Sequence, residues 1–166
     1  MISLNVYALA LYEVALERSL KFYDSVLSFQ TMLEDESVRA VFTRTYADPS
    51  ILDPLFESLG YSNEVIKLLK IMQASRLLVD YDRFVDLYRD LLIEHHELVR
   101  VEIVSAVEIS DFSAIDALVT ARYTGRIERV ASVDASLIKG MVMRINHDVF
   151  DTSIKKRLDS VLKEAG

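Results

Sequence analysis

The sequence contains no cysteine and no tryptophan, and it has only four glycines and two prolines among 166 residues. Without cysteine, the chain forms no disulfide, no thiolate-ligated metal site and no thiol nucleophile. The glycines lie too far apart in sequence to share a phosphate-binding loop, in which backbone amides approach the ligand without an intervening Cβ. These absences exclude the common thiol and nucleotide-loop chemistries and leave binding as the class of function to examine.

Basic charge and long apolar runs are also scarce. The 19 basic and 26 acidic side chains give a net charge of −7, so the chain lacks the basic surplus that phosphate neutralisation in nucleic acid requires. The longest uncharged run, residues 1–12, is shorter than the roughly 20 apolar residues of a membrane-spanning helix. A signal peptide would begin with basic residues, but no Lys or Arg precedes Arg18. We therefore expect the first segment to belong to the mature fold.

Up to about residue 97, apolar residues recur at spacings of three and four, which predicts helices. Asp48-Pro49 predicts a break, Gly60 the end of the fourth helix, and Ser62 or Asn63 the cap of the fifth. The pattern predicts six helices, at residues 3–18, 20–34, 36–45, 50–58, 62–78 and 80–97.

Beyond residue 98 the pattern changes. Apolar and charged residues alternate from Val99 to Ile103, which predicts a strand with one buried face. A helix is expected over 112–123, between Asp111 as a cap and Gly125 as a stop. We therefore predict an α+β chain in which a six-helix bundle (1–97) precedes a small α/β domain (98–166), with further strands at 126–133 and 139–146 and a last helix after Asp151.

The first and fifth predicted helices carry more apolar surface than an outer helix needs, across Val6–Leu16 and Val65–Val79. Two interpretations remain open. Both helices could be central and surrounded by others, or they could form a hydrophobic groove that accepts an amphipathic helix from a partner. Residues 1–100 carry −6 of the net charge, which favours a partner with some basic residues.

Few residues indicate catalysis or metal binding. Adjacent side chains on a helix point about 100° apart, so His95 and His96 do not match a chelating i, i+4 pair and indicate a solvated helix end. His147 lies between Asn and Asp in a predicted turn. We expect no active site, cofactor or metal, and we interpret four carboxylates as a solvated helix face: Asp80, Asp82, Asp86 and Asp90.

A resemblance to a known family is strongest over Val133–Ser153, which contains a VDP-type turn written here Val-Asp-Ala, an aliphatic pair, a strand, a short turn and Asp-x-Ser. The supporting matches are Tyr7-Ala8, Ala10-Leu11-Tyr12, Asp48-Pro49, Arg76-Leu77 and Ser105-Ala106. On these residues the sequence resembles the delta subunit of F-type ATP synthases, called the oligomycin-sensitivity-conferring protein in mitochondria. The likeness spans essentially the whole chain and implies the same two-domain fold.

The resemblance implies a non-catalytic stator subunit of the peripheral stalk, which resists rotor torque so that proton translocation is coupled to ATP synthesis. It implies that the first and fifth helices bind the N-terminal helix of an alpha subunit and that the C-terminal domain binds the b subunits. No nucleic acid or small-molecule substrate is expected, and membrane association at the cytoplasmic face of a bacterial membrane is expected only through the complex. The implied alpha contacts are Tyr7, Leu11, Val14, Ile66 and Lys70, and the implied stalk contacts are Ile154, Leu158 and Leu162.

The three stalk residues follow an i, i+4, i+8 stripe that could equally be core. The alternative function, from a different class, is a helical scaffold or regulatory adaptor that binds an amphipathic partner helix and is unrelated to ATP synthase.

Overall fold

The computed structural model describes residues 3–44, 49–137 and 139–151. The chain divides into two compact units, Met1–Leu92 and Ile93–Gly166. Six α-helices lie in the first unit or reach its end: α1 (Leu4–Ala15), α2 (Ser19–Met32), α3 (Glu36–Phe42), α4 (Pro49–Ser58), α5 (Asn63–Ala74) and α6 (Tyr81–Glu94). The second unit contains β1 (Leu98–Ser105), α7 (Ser113–Thr120), β2 (Arg126–Val133), β3 (Met141–Ile145) and β4 (Asp148–Asp151).

The predicted α+β class and the six helices are confirmed, and local side chains explain several helix ends. Ser62 is the cap of α5, because its Oγ accepts a hydrogen bond from the amide of Val65. Asp35 caps α3 in the same way by accepting bonds from the amides of Ser37 and Val38. Gly60 follows α4 with φ +70°, a left-handed conformation that ends a helix at low steric cost in glycine.

The predicted end of the fifth helix is wrong by four residues. The structure ends α5 at Ala74, and Arg76 adopts φ +60° before a short 3-10 turn at Leu77–Asp80. This left-handed residue redirects the chain so that Leu78 is buried, whereas Val79 stays exposed. Tertiary burial of one leucine therefore overrides an apolar pattern that continues beyond the helix.

Aromatic side chains form the centre of the bundle. The ring of Phe29 lies 5.2 Å from that of Phe42 and 5.1 Å from that of Tyr81, in edge-to-face geometry. The Tyr81 hydroxyl donates a hydrogen bond to the carbonyl oxygen of Val26 at 3.2 Å. The buried phenol thus has a partner, as a polar group in an apolar core requires.

The strands of the second unit form one mixed sheet in the order β2-β1-β3-β4. β1 and β2 are parallel with Leu98 opposite Arg126, and α7 connects them, as a parallel pair requires a crossover. β3 is antiparallel to both β1 and β4, and the predicted turn at Asn146–His147 joins β3 to β4. One sheet face packs with α7 around a buried cluster: Val99, Val101, Ile103, Val119, Met143 and Ile145.

The predicted cap at Asp111 is present, because its Oδ1 accepts a hydrogen bond from the amide of Ser113 at 2.8 Å. This bond to the backbone amide, with the Ser113 side chain, lowers the pKa of Asp111. Asp151 is the last residue of β4, and the helix predicted after it lies outside the described residues.

A candidate protein-binding groove between the first and fifth helices

Helices α1 and α5 lie side by side and run antiparallel. Near the start of α1, the hydroxyl oxygens of Tyr7 and Ser75 are 3.5 Å apart. Beyond the other end of α1, a guanidinium nitrogen of Arg18 lies 3.2 Å from a carboxylate oxygen of Glu64. These two polar contacts mark the two ends of a shallow depression between the helices.

The depression contains an open cavity of about 230 Å³. Leu11 lies in its floor and is only 3% exposed, whereas Val14 and Ile71 are 50% and 51% exposed at its sides. We call this surface the α1–α5 groove and define it by the lining residues: Ala10, Leu11, Val14, Glu64, Lys67, Leu68 and Ile71.

The apolar surface of α1 continues from the groove to Val6, which is 53% exposed and lies one turn before Ala10 on the same side of the helix. The opposite side of the same helix is buried through Ala8 and Ala15. Helix α1 is therefore not a surrounded central helix, and part of its exposed apolar surface lines the groove.

Two of the lining residues are charged. The carboxylate of Glu64 lies in the first turn of α5, where a hydrogen bond from its own backbone amide, the Ser62 hydroxyl and Arg18 together lower the pKa of Glu64. Lys67 stands one turn further along α5 and is exposed. The groove thus combines an apolar floor with a carboxylate that is already bonded and an exposed ammonium group.

The structure brings only part of the expected alpha-contact set to this groove. Leu11 and Val14 line it, and Tyr7 lies at its end with its side chain half-buried. Ile66 and Lys70 do not line it; they line a second cavity of about 410 Å³ beside α4, which shares only Lys67 with the groove.

Lys70 is held beside that second cavity by two carboxylates of α4. Its Nζ lies 3.2 Å from an oxygen of Asp53 and 3.3 Å from an oxygen of Glu57. Partial desolvation opposes the charged form, but the hydrogen bonds to both carboxylates raise the pKa of Lys70 overall. Ile66 beside it is 8% exposed, so its side chain belongs mainly to the bundle core.

Five lining residues were not among the expected contacts, and a helical wheel gives a signal that could have found four of them. Positions 64, 67, 68 and 71 follow the i, i+3, i+4, i+7 spacing of one helix face. Because Glu64 at the start of this face is polar, a search for apolar residues alone does not identify the face. The lining residues that the expected set omitted are Ala10, Glu64, Lys67, Leu68 and Ile71.

The other candidate residues do not form a second site. His95 and His96 lie exposed just after α6, and the side chains of Asp80, Asp82, Asp86 and Asp90 are exposed, as predicted. In the described part of the chain, no group of histidines and carboxylates is arranged to hold a metal ion. The expected stalk contacts Ile154, Leu158 and Leu162 lie outside the described residues.

Among the helices described, none is both long enough and apolar enough to cross a bilayer. Residues 4–164 match the family described as ATP synthase delta (OSCP) subunit. The delta subunit of ATP synthase from Acidiphilium cryptum is 32% identical, over 92% of this chain and 82% of that protein. The delta subunit from Nitrobacter hamburgensis is 30% identical, over 96% of this chain and 92% of that protein.

The fold is also similar to that of a solved protein. A chain in the cryo-EM structure of the Toxoplasma gondii mitochondrial ATP synthase hexamer superposes with a TM-score of 0.76 at 19% identity, covering 99% of this chain and 98% of that chain. A match to the family over nearly the whole length excludes a helical scaffold unrelated to ATP synthase. This chain therefore belongs to the ATP synthase delta (OSCP) subunit family and is a non-catalytic subunit of the peripheral stalk of that complex.

Proposed function

We propose that this subunit links the catalytic head of the ATP synthase to the b subunits of the peripheral stalk, and that the α1–α5 groove receives the N-terminal helix of an alpha subunit. The observation that carries the proposal is the pair of half-exposed side chains, Val14 and Ile71, on either side of the buried Leu11. Such a groove fits the apolar face of an amphipathic helix, which presents anchors at i, i+3 or i+4, and i+7.

The dimensions of the groove support this partner. Along α5, the two polar contacts lie at Glu64 and Ser75, eleven residue steps apart, which at about 1.5 Å per residue corresponds to roughly 16 Å, or three turns of a docked helix. Three turns carry three or four anchor side chains. The exposed side chain of Val6 extends the contact about one turn beyond the lining of the cavity.

The second unit provides the other half of the link. The stripe of Ile154, Leu158 and Leu162, spaced i, i+4, i+8, is proposed to contact the b subunits. With the head bound at one domain and the stalk at the other, the subunit resists the torque of the rotor, so that proton translocation drives ATP synthesis. The subunit then lies at the cytoplasmic face of a bacterial membrane and is held there by the complex.

The chain offers a matched pair of isoleucines to test the groove. Ile71 lines the groove and is 51% exposed, and Ile51 of α4 is 63% exposed and is not among the groove residues. Calorimetric titration should use a peptide of the first 20 or so residues of the alpha subunit encoded with this chain. We expect Ile71→Asp to weaken binding by about 2 kcal/mol or more, because it buries a charge at an apolar anchor, and Ile51→Asp to bind like the wild type.

Circular dichroism first confirms that both variants fold, which their exposed positions favour. Binding of the peptide to a folded Ile71→Asp chain with wild-type affinity would overturn the assignment of this groove.

A further inference from the structure

Lys67 is the charged group of the α1–α5 groove whose charge is not compensated. Arg18 already pairs with Glu64, the other charged lining residue. Within residues 3–44, 49–137 and 139–151, Lys67 makes no hydrogen bond or ion pair with any other residue. The groove therefore presents an ammonium group at the edge of an apolar floor.

A second lysine on the same helix shows what a compensated cation looks like. Lys70 lies three residues further along α5, where Asp53 and Glu57 of α4 both approach its Nζ within 3.3 Å. Lys67 borders both the groove and the cavity beside α4, yet in the described bundle the two α4 carboxylates bond Lys70 and neither bonds Lys67.

We propose that Lys67 determines the specificity of the groove by pairing with a carboxylate on the incoming helix. The inference rests on the proposed function and adds the chemistry of the partner: an amphipathic helix with an Asp or Glu about one turn from the apolar side chain that contacts Ile71. Lys67 and Ile71 are four residues apart and lie on the same face of α5, so an anchor and a carboxylate one turn apart meet them together.

The local charge of the groove differs in sign from that of the bundle. Residues 1–100 carry a net charge of −6, which attracts basic residues on the solvent side of a partner from a distance. A docked helix, however, removes water from around Lys67, and a cation placed against it would then be repelled at close range. The groove therefore selects against a helix with a basic residue at that position.

The test compares Lys67→Met, Lys67→Glu and the control Lys21→Met in titrations with the alpha N-terminal peptide; Lys21 is an exposed residue of α2 that does not line the groove. We expect Lys67→Met to weaken binding about fivefold to tenfold, Lys67→Glu to weaken it further, and Lys21→Met to leave it unchanged. Raising NaCl from about 0.05 to 0.5 M should weaken wild-type binding more than that of Lys67→Met, because salt screens the pair.

Peptides in which each acidic residue is changed in turn to its amide then locate the carboxylate. Replacing the residue that meets Lys67 should weaken binding to the wild type and have little further effect on Lys67→Met, which is the signature of a coupled pair.

The outcomes separate this inference from the proposed function. If Lys67→Met and Lys67→Glu bind as tightly as the wild type while Ile71→Asp binds weakly, the proposed pair between Lys67 and a carboxylate is wrong. The groove is then still the binding site. If Lys67→Glu binds more tightly than the wild type, the partner presents a cation and the inference is wrong. If Ile71→Asp also binds normally, the groove itself is not the binding site and both proposals fail.

Discussion

Gly125 lies directly against the backbone of Glu97, and a Cβ built on Gly125 would stand 2.8 Å from the carbonyl carbon of that residue. Next to this contact, the amide of Arg126 donates a hydrogen bond to the Glu97 carbonyl oxygen at 2.8 Å. The start of β2 is thereby fixed beside the start of β1, which sets the register of the parallel pair. Gly125 itself has φ +119°, a conformation that L side chains rarely adopt.

Replacing Gly125 with alanine should destabilise the second unit by about 2–4 kcal/mol, because steric overlap adds to an unfavourable φ. Gly60→Ala is the matched control, because Gly60 also has a positive φ of +70° but no atom lies within 4 Å of the added Cβ. We expect Gly60→Ala to lower the free energy of unfolding by about 1 kcal/mol. Urea denaturation measures both effects, combined with amide hydrogen exchange in β1 and β2 for Gly125→Ala and in α4 and α5 for Gly60→Ala. Equal losses in the two variants would show that overlap with Glu97 contributes nothing.

Tyr81 should make the stability of the bundle sensitive to alkaline pH. Burial, with a smaller contribution from the nearby Tyr61 phenol, raises the pKa of Tyr81 well above the ordinary tyrosine value. The unfolded chain loses this proton near pH 10, before the folded chain does. The contribution of the protonated Tyr81 phenol to the free energy of unfolding is therefore complete below about pH 10. It is lost as the pH rises from there toward the pKa of the folded state.

We expect Tyr81→Phe to lower the free energy of unfolding by about 1 kcal/mol at pH 7, because the hydrogen bond to Val26 is missing. Between about pH 10 and 11, the free energy of unfolding should fall less in Tyr81→Phe than in the wild type. Urea titrations at several pH values measure this difference. Parallel alkaline slopes in the two proteins would contradict the buried titration of Tyr81.

Arg129 attaches α7 to the edge strand β2. Its guanidinium binds both carboxylate oxygens of Asp116 and lies over the ring of Phe112 at 4.5 Å. Lysine keeps the charge but loses the two-pronged geometry and the stacking, so Arg129→Lys should destabilise the second unit by about 1 kcal/mol. Arg122→Lys, at an exposed position just after α7, should change stability by less than about 0.5 kcal/mol.

A double-mutant cycle with Asp116→Asn tests the assignment of this contact, with the free energy of unfolding measured for each variant. A coupling free energy near zero would show that the ion pair contributes no stability.

Local patterns in the sequence were sufficient to predict α1 to α7 and strands β1 to β3, whereas the four-residue strand β4 was not predicted. The alternation from Val99 to Ile103 places its apolar members on the face that α7 covers, because side-chain direction in a strand depends only on position along it. Likewise, Ser62, Gly60 and Asp111 act on backbone groups a few residues away, so their roles were readable from the sequence.

Local sequence patterns did not predict how α5 packs against the neighbouring helices. The groove could be expected from apolar content, but which face of α5 meets α1 depends on packing with several helices at once. Lys70 illustrates the difficulty, since its environment is set by Asp53 and Glu57, 17 and 13 positions earlier in the sequence. The end of α5 at Ala74 is similar, because it follows from burial of Leu78 and no glycine or proline marks it.

The two walls of the α1–α5 groove come from segments far apart in the chain, with α2, α3 and α4 between them. The groove exists only when those three helices have folded and brought α1 and α5 together. A partner helix that binds there stabilises the completed bundle alone, in proportion to its free concentration over its dissociation constant. On the proposed function, assembly through this surface would therefore select folded copies of the subunit over incompletely folded ones.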